Sequence, residues 1–466
     1  MIEKLKKTPV DVVGDYLERL VFHLMEVLKR RFSTALQTME LQYILTVPAV
    51  WSDKAKDATM RAAHLAKIPP SALILLSEPE AAAVYAIHTV QPNSLKLNDC
   101  LIVCDAGGGT VDIITYRIAQ TEPLRFSEVT EGTGAVCGSA LLDDAFQDLL
   151  ETEYKKTYKR PIPKATMKAA RQYWQDYIKP TFRGPIDDDD FEETPYQVPL
   201  PGGASHSGTR GFNAGFWYME PEQVKGLFDP IVNQIEDLIA EQWMRIKDKN
   251  LSSKAIVLVG GLGSSEYLFR CLKSTFDGIE VMQPKNAWSA VVRGAVQRGQ
   301  EGNQVDNRIA RCSYGVEMIV EATLADRQKG VNIGWCPLDE YYYRSGVMQW
   351  YITKGEALSA DNPVSFSFCR AISKSHLARG IVFHERLDFS QTEKAPKYAD
   401  KSISKLCEVE ADLSRIPPVL FEERKNSKGE TYYRVQFELV LIPASATLVF
   451  ELHFNGVSYG MVRSRY

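Results

Sequence analysis

The chain has 466 residues, more than one hydrophobic core accommodates, so two to four domains are expected. Hydrophobic residues make up 45% and charged residues 24%, ordinary globular usage, and a net charge of -4 gives no electrostatic reason to expect nucleic acid or an anionic membrane as partner. No apolar run is long enough to span a bilayer, the basic start Met-Ile-Glu-Lys-Leu-Lys-Lys lacks the apolar stretch of a signal peptide, and eight scattered cysteines without a C-x-x-C pair read as reduced thiols of cytosol or nucleus.

Residues 10–37 predict one amphipathic helix, because Val13, Leu17, Leu20, Leu24, Leu28 and Phe32 recur at three- and four-residue steps. A short strand over 41–47 is closed by Pro48, and Ser52 suits the N-cap of a helix to about residue 67. Residues 73–76 read as a buried strand, 80–87 as helix and 100–104 as a second buried strand. That strand runs into a glycine loop, and 111–118 leaves it as another strand. Strand, glycine turn, strand is a hairpin, not the strand-to-helix entry of a dinucleotide fold. Helices follow over 139–154, 164–178 and 230–247. The stretch Asp187-Asp-Asp-Asp with Glu192 and Glu193 reads as a solvated acidic loop, and 201–211, rich in Gly and Ser, as another loop. Residues 255–259 form a buried strand, with helices over 264–276 and 287–300. The polar run 300–307 is the best linker. Beyond it, 364–368, 432–441 and 447–454 are β-rich, with turns at 426–429 and Asn455-Gly456, so the C-terminal part is mostly β.

Three motifs carry chemistry. In Asp105-Ala-Gly-Gly-Gly-Thr-Val-Asp112, Gly107, Gly108 and Gly109 let backbone N–H groups approach a polyphosphate with no Cβ in the way. Asp105 can reach a water on Mg²⁺, and the Thr110 hydroxyl can donate to a phosphate oxygen. A plain glycine hairpin is the bland reading, and no Gly-Lys-Ser/Thr follows to make a Walker loop. In Ser77-Glu-Pro-Glu-Ala-Ala-Ala-Val-Tyr, Glu78 alone would be a first-turn carboxylate complementing the helix dipole, with three alanines for close packing. Beside a Mg-phosphate site it becomes a ligand or water-positioning group. In Val257-Leu-Val-Gly-Gly-Leu-Gly-Ser-Ser-Glu, Glu266 stands where a dinucleotide fingerprint needs its third glycine, whereas a double glycine at a strand end lets an adenine ring lie on the backbone. The seven histidines show no metal-ligand spacing.

These motifs, with Thr46-Val-Pro-Ala-Val-Trp-Ser-Asp and Ala290-Val-Val-Arg-Gly-Ala, together resemble the heat shock 70 family of molecular chaperones, and within it the divergent subfamily-twelve branch that lacks a helical lid. The resemblance covers about residues 10 to 300 and continues weakly through Ser313-Tyr-Gly-Val-Glu. It implies an α/β actin-like, ribonuclease-H-like nucleotide-binding domain over 1–300 (lobe I about 1–100, lobe II about 101–300), a linker at 301–307, and a β-rich substrate-binding-like domain over 308–466. It implies ATP or ADP with Mg²⁺ in the cleft. Asp105 resembles the carboxylate holding Mg²⁺ through water. Gly107, Gly108, Gly109 and Thr110 resemble the second phosphate loop, and Glu78 the carboxylate that helps order the hydrolytic site. Gly138 resembles the phosphate-contacting glycine before the next helix, and Gly260, Gly261 and Ser264 the adenosine motif. Gln175 and Lys179 fall where ribose and adenine contacts are expected. Client polypeptides or co-chaperones, and a cytoplasmic or nuclear setting, come with the same resemblance.

The departures concern catalysis. The family opens with a hairpin reading Asp-x-Gly-Thr-Thr, followed by a catalytic lysine. Neither occurs in this sequence, and Asp11-Val-Val-Gly14 lies on a helix. The acidic residue expected after the adenosine motif is replaced near Trp288, and the linker lacks its leucine-rich signature. The chain is therefore expected to begin partway through the first lobe, to bind nucleotide weakly and to turn over little ATP, since losing a preorganised donor set costs roughly a hundredfold or more in rate. A non-catalytic nucleotide-sensing scaffold is the rival from another class. A sugar or acetate kinase of the same superfamily is a third reading, disfavoured because such enzymes need no trailing β domain.

Overall fold

Thr8 starts the first helix. Its side chain accepts from the Asp11 amide and the Asp11 carboxylate accepts from the Thr8 amide, a capping box with Pro9 in the first turn. The computed structural model describes residues 6–90, 95–184, 194–202, 211–328, 333–359, 362–377, 380–443, 445–446 and 448–466. The acidic stretch 187–193 and most of 201–211 lie outside the described residues. Helix α1 (Pro9–Phe32) ends five residues earlier than its apolar repeat predicts, because Ser33 takes φ 49° and the chain continues as a short 3-10 turn. Only Gly14 and Leu17 are buried on α1, while Val13, Leu20, Leu24 and Phe32 are exposed. The repeat found the helix but not which of its residues would be covered.

The chain then forms β1 (Tyr43–Val47), α2 (Asp53–Leu65), β2 (Leu73–Ser77) and α3 (Glu78–Val90). Ser52 caps α2, its hydroxyl accepting from the Ala55 amide. Next come β3 (Cys100–Ala106), β4 (Val111–Thr121), β5 (Leu124–Glu128), β6 (Thr133–Ala135), α4 (Ala140–Tyr158) and α5 (Lys164–Tyr173). A five-residue π turn, Trp174–Ile178, extends α5 into the short α6 (Lys179–Thr181). The strands β7 (Tyr196–Pro199), β8 (Phe212–Asn213) and β9 (Phe216–Met219) make a small sheet, before α7 (Pro221–Asp248), β10 (Ser253–Val259), α8 (Glu266–Thr275), β11 (Glu280–Met282) and α9 (Ala290–Glu301). Helix α7 begins nine residues before the expected Pro230. Pro221 supplies the first-turn proline and Glu220 with Gln223 a capping box, so Pro230 lies inside the helix. No helix among the described residues is long and apolar enough to cross a membrane.

Contacts divide the chain into two compact units, one of residues 44–50 and 76–305, the other of 1–43, 51–75 and 306–466. In the first, a six-stranded sheet runs β11-β10-β3-β4-β5, with β6 also on β4. Strand β10 is parallel to β3 and β11, and β4 is antiparallel to β3. The two-residue period of β3 sorts its side chains between two cores. Ile102, Cys104 and Ala106 face Leu142, Phe146, Ile235 and Ile239 of α4 and α7. Leu101 and Val103 face Ala82, Ala83, Ile87 and Ala290 of α3 and α9. Covering both faces explains why β3 is buried along its whole length and apolar up to Asp105. The alanines of α3 lie close to α9: a Cβ on Gly294 would sit 1.7 Å from the Ala81 carbonyl oxygen.

The second unit packs α1 on α2 and holds the C-terminal strands. One sheet runs Ile333–Cys336, Tyr341–Ile352, Ser313–Glu321, Val382–Ser390, Ile403–Asp412, Arg463–Arg465. Another runs Val364–Ser373, Thr431–Pro443, Leu448–Phe454, Val457–Met461, with Glu422–Lys425 also on Thr431–Pro443. Phe366, Phe437, Leu439, Phe450 and Leu387 share the core of this region.

Candidate functional site

Strand β3 leaves the sheet at Ala106, and the hairpin closes through the Gly107 amide on the Thr110 carbonyl at 2.9 Å. The loop then spends its carbonyls on the entry to α4. Gly107 O accepts from the Ser139 amide at 3.0 Å, Gly108 O from Ala140 at 2.8 Å and Gly109 O from Gly138 at 3.2 Å. These bonds satisfy donors that a helix start leaves open. The amides of Gly108, Gly109 and Thr110 meet no acceptor among the described residues. Three successive N–H groups with their carbonyls turned away form a concavity suited to an anion.

The glycines divide by cause. Gly138 is required by packing, since a Cβ there would lie 2.4 Å from Gly108 O. Gly108 and Gly109 are required by nothing among the described residues: neither has a positive φ, and a Cβ on either would meet nothing within 4 Å. The space above them is open, and a side chain there would stand where a ligand must come.

Beneath the loop lie three carboxylates. Asp105 and Asp112 are register partners across the hairpin and both are buried. The Val50 amide donates to Asp112 Oδ1 at 3.0 Å. Glu78 is the first residue of α3. Burial first, then the charges of Glu78 and Asp112, raise the Asp105 pKa to about 8. Burial and then Asp112 raise Glu78 to about 7. The thiols beside them respond alike, burial pushing Cys137 up to about 11. Like charges crowded away from water call for a cation. Among the described residues no three His, Cys, Asp or Glu converge closely enough to ligate one directly. A donor set of this kind fits a hard cation held through water and phosphate oxygens, the habit of Mg²⁺.

Strand β10 brings the other predicted residues. Gly260, at φ 88°, donates its amide to Ala287 O at 3.0 Å, and a Cβ there would fall 2.5 Å from Asp105 Oδ1. The double glycine therefore lets the end of β10 approach Asp105. Gly261 faces open space, and the Ser264 hydroxyl donates to Gly260 O at 3.0 Å. Lys179 is engaged: its ammonium donates to Asp143 Oδ1 at 2.8 Å, as does Trp174 Nε1. Asp143 lies three residues into α4, about one turn beyond the loop. Gln175 lines a cavity of about 560 Å³ between α4 and α5 with Gln147, Arg171 and Gln172, and none of the loop glycines borders it. Glu78, Asp105, the loop, Gly138 and Gly260 thus come together, while Gln175 lines the α4–α5 cavity and Lys179 is paired with Asp143 of α4. Sequence reasoning did not single out Asp112 or Asp143. A signal for Asp112 existed: it stands as far beyond the loop as Asp105 stands before it, so a tight hairpin must pair them.

A glycine hairpin over buried carboxylates, on a sheet covered by helices on both faces, defines an actin-like ATPase domain, here followed by a region of mostly strands. Residues 16–174 match the family described as Hsp70 protein, and residues 308–465 a domain of unknown function (DUF8568). The chain carries an Hsp70-family domain. It is similar to heat shock 70 kDa protein 12A of Homo sapiens, 22% identical over 353 residues, 61% of this chain and 52% of that protein. It is 23% identical to heat shock 70 kDa protein 12B of Homo sapiens over 381 residues, 64% of this chain and 53% of the relative. A chaperone protein HscA homolog of Acinetobacter baylyi is 35% identical over 115 residues, 25% of this chain and 17% of the relative. The chain spans about half the length of the 12A and 12B relatives.

Proposed function

We propose that the hairpin 105–112 binds the phosphates of ATP or ADP with Mg²⁺, and that the chain is a chaperone-type ATPase of the Hsp70 family. The observation that carries the reading is the set of three unpartnered amides at Gly108, Gly109 and Thr110 above the carboxylates of Asp105, Asp112 and Glu78. Mg²⁺, when bound, would neutralise phosphate oxygens and these carboxylates together. Asp105 would hold it through water, and Thr110 would donate to a phosphate oxygen. Gly138 would keep α4 against the loop. Gly260, Gly261 and Ser264 would border the adenosine, with Gln175 and Lys179 toward the ribose. Glu78, with a pKa near the working pH, is suited to orient the attacking water and take its proton. On this reading the nucleotide-binding region runs to about residue 300, and the strands from 308 act on client polypeptides or co-chaperones. The name of the chaperone protein HscA homolog, to which residues of this chain are similar, supports the chaperone role. None of the eight cysteines is in a disulfide, which suits a cytoplasmic or nuclear setting.

The test uses Gly109→Val. Its Cβ enters open space, so melting without ligand is expected within about 0.5 kcal/mol of the parent. Mg-ADP at a hundred times its Kd stabilises the parent by about 2.7 kcal/mol, and the variant should lose that shift. Equal shifts in both proteins would refute the site. Phosphate release from ATP, measured on the same proteins, separates turnover from a non-catalytic nucleotide-sensing scaffold.

A further inference from the structure

Within the C-terminal strands a cavity of about 700 Å³ opens along Val364–Ser373. That strand is the first in its sheet, so among the described residues one side of it has no strand neighbour. Five consecutive residues, 367–371, line the cavity. Successive strand residues point to opposite faces, so a space touching all five must run along the strand's edge. Trp335, Tyr341, Tyr343 and Phe368 supply its apolar surface. The Phe368 ring is stacked on Phe437 at 5.3 Å and lies 5.6 Å from the Arg370 guanidinium carbon. The volume suits a small molecule or the end of a peptide.

Most charged groups of the wall are already engaged. Glu317 accepts from the Gly346 amide at 2.8 Å, and Asp339 from the Tyr432 hydroxyl at 2.8 Å. Arg370 donates to Glu385 and to the Cys369 carbonyl at 3.1 Å. Arg434 differs. Its register partner on one side is Ala371, too small to reach it, and on the other Glu422, whose carboxylate is taken by Arg424 at 2.7 Å. Among the described residues none accepts a hydrogen bond from its guanidinium, and its buried Nε has Asp339 Oδ1 at 3.4 Å, outside bonding alignment. A planar guanidinium with both terminal nitrogens available matches a carboxylate in two-point contact.

We infer that this cavity binds a ligand with an apolar, aromatic-compatible body and a terminal carboxylate, which Arg434 reads through its two terminal nitrogens. A singly charged group is favoured over a phosphate dianion because Asp339 and Glu317 also face the space. A small aryl acid and the C-terminus of an apolar peptide share this chemistry.

Calorimetric titration of the whole chain distinguishes them. The probes are naphthylacetate against its primary amide, and N-acetyl-Leu-Leu-Phe as free acid against its carboxamide. The acid should bind about tenfold tighter or better, the worth of a charged hydrogen bond in a partly buried site. Preference in the naphthyl pair identifies a small molecule; preference in the tripeptide pair alone identifies a peptide terminus. Arg434→Gln should bring the acid-to-amide ratio near one while the amide binds as before. Ala371→Glu should do the same by occupying the guanidinium in place, which covers the case in which the first variant fails to fold. Equal affinity of acid and amide in the parent, no binding of any probe, or an unchanged ratio in a folded variant would each overturn the inference.

Discussion

Asp105→Asn should make the ligand-free protein more stable and the nucleotide-bound protein less so. In the folded chain the Asp105 carboxyl titrates at about 8, against an ordinary 3.8. Below about pH 4 the group is protonated folded or unfolded and contributes nothing. Between about 4 and 8 the unfolded chain gives up the proton while the folded chain keeps it, so stability falls as pH rises through that window. From 3.8 to pH 7, at about 1.4 kcal/mol per pH step, the ceiling on this penalty is about 4 kcal/mol. Glu78 and Asp112 share the crowding, so neutralising one member should recover about 2 kcal/mol, roughly 5 °C in melting temperature for a unit of this size. Calorimetric melts at pH 5 and pH 8, with and without Mg-ADP, check each part. The gain should be larger at pH 8, and the Mg-ADP shift should be largely lost. A variant that melts lower than the parent at pH 8, or keeps the full Mg-ADP shift, would refute the argument that Asp105 is held in strain for a cation.

Two further variants test the frame around the loop. Gly138→Ala places a methyl 2.4 Å from Gly108 O and should cost about 1–3 kcal/mol in a chemical denaturation curve, in contrast to the near-neutral Gly109→Val. Lys179→Met leaves Asp143, among the described residues, with only the Trp174 indole as partner and should cost about 1–3 kcal/mol; a loss of nucleotide affinity beyond tenfold, measured by calorimetry, would show contact with the ligand as well.

Local signals were legible in the sequence, and long-range ones were not. Ser52 capped its helix as its side chain predicts, and the glycine loop joined two antiparallel strands because no helix signal followed it. The apolar run 100–104 became the strand with both faces covered. Pro230 misled, because a proline reads equally as a helix start or as an interior interruption, and only the cap at Glu220 decides. On α1 the apolar repeat fixed the element but not its environment, since burial depends on what packs there. The pairing of Lys179 with Asp143 joins residues 36 apart in the chain, which no spacing rule anticipates.

The glycines of the loop sharpen the argument for function beyond any motif. A glycine loses more conformational freedom on folding than other residues, about 0.5–1 kcal/mol relative to alanine in regular structure. At Gly138 and Gly260 the fold itself demands that loss, because a Cβ would strike backbone or Asp105. At Gly108 and Gly109 it gains nothing in the ligand-free chain. The same eight-residue segment also carries Asp105, held protonated above its ordinary range by burial beside Glu78 and Asp112. Two destabilising choices therefore coincide, and each is relieved by one kind of visitor: an anion needs the open amides, and a cation needs the carboxylates. A magnesium-bound polyphosphate brings both at once. Places where local rules are broken without internal compensation are where a bound ligand supplies it.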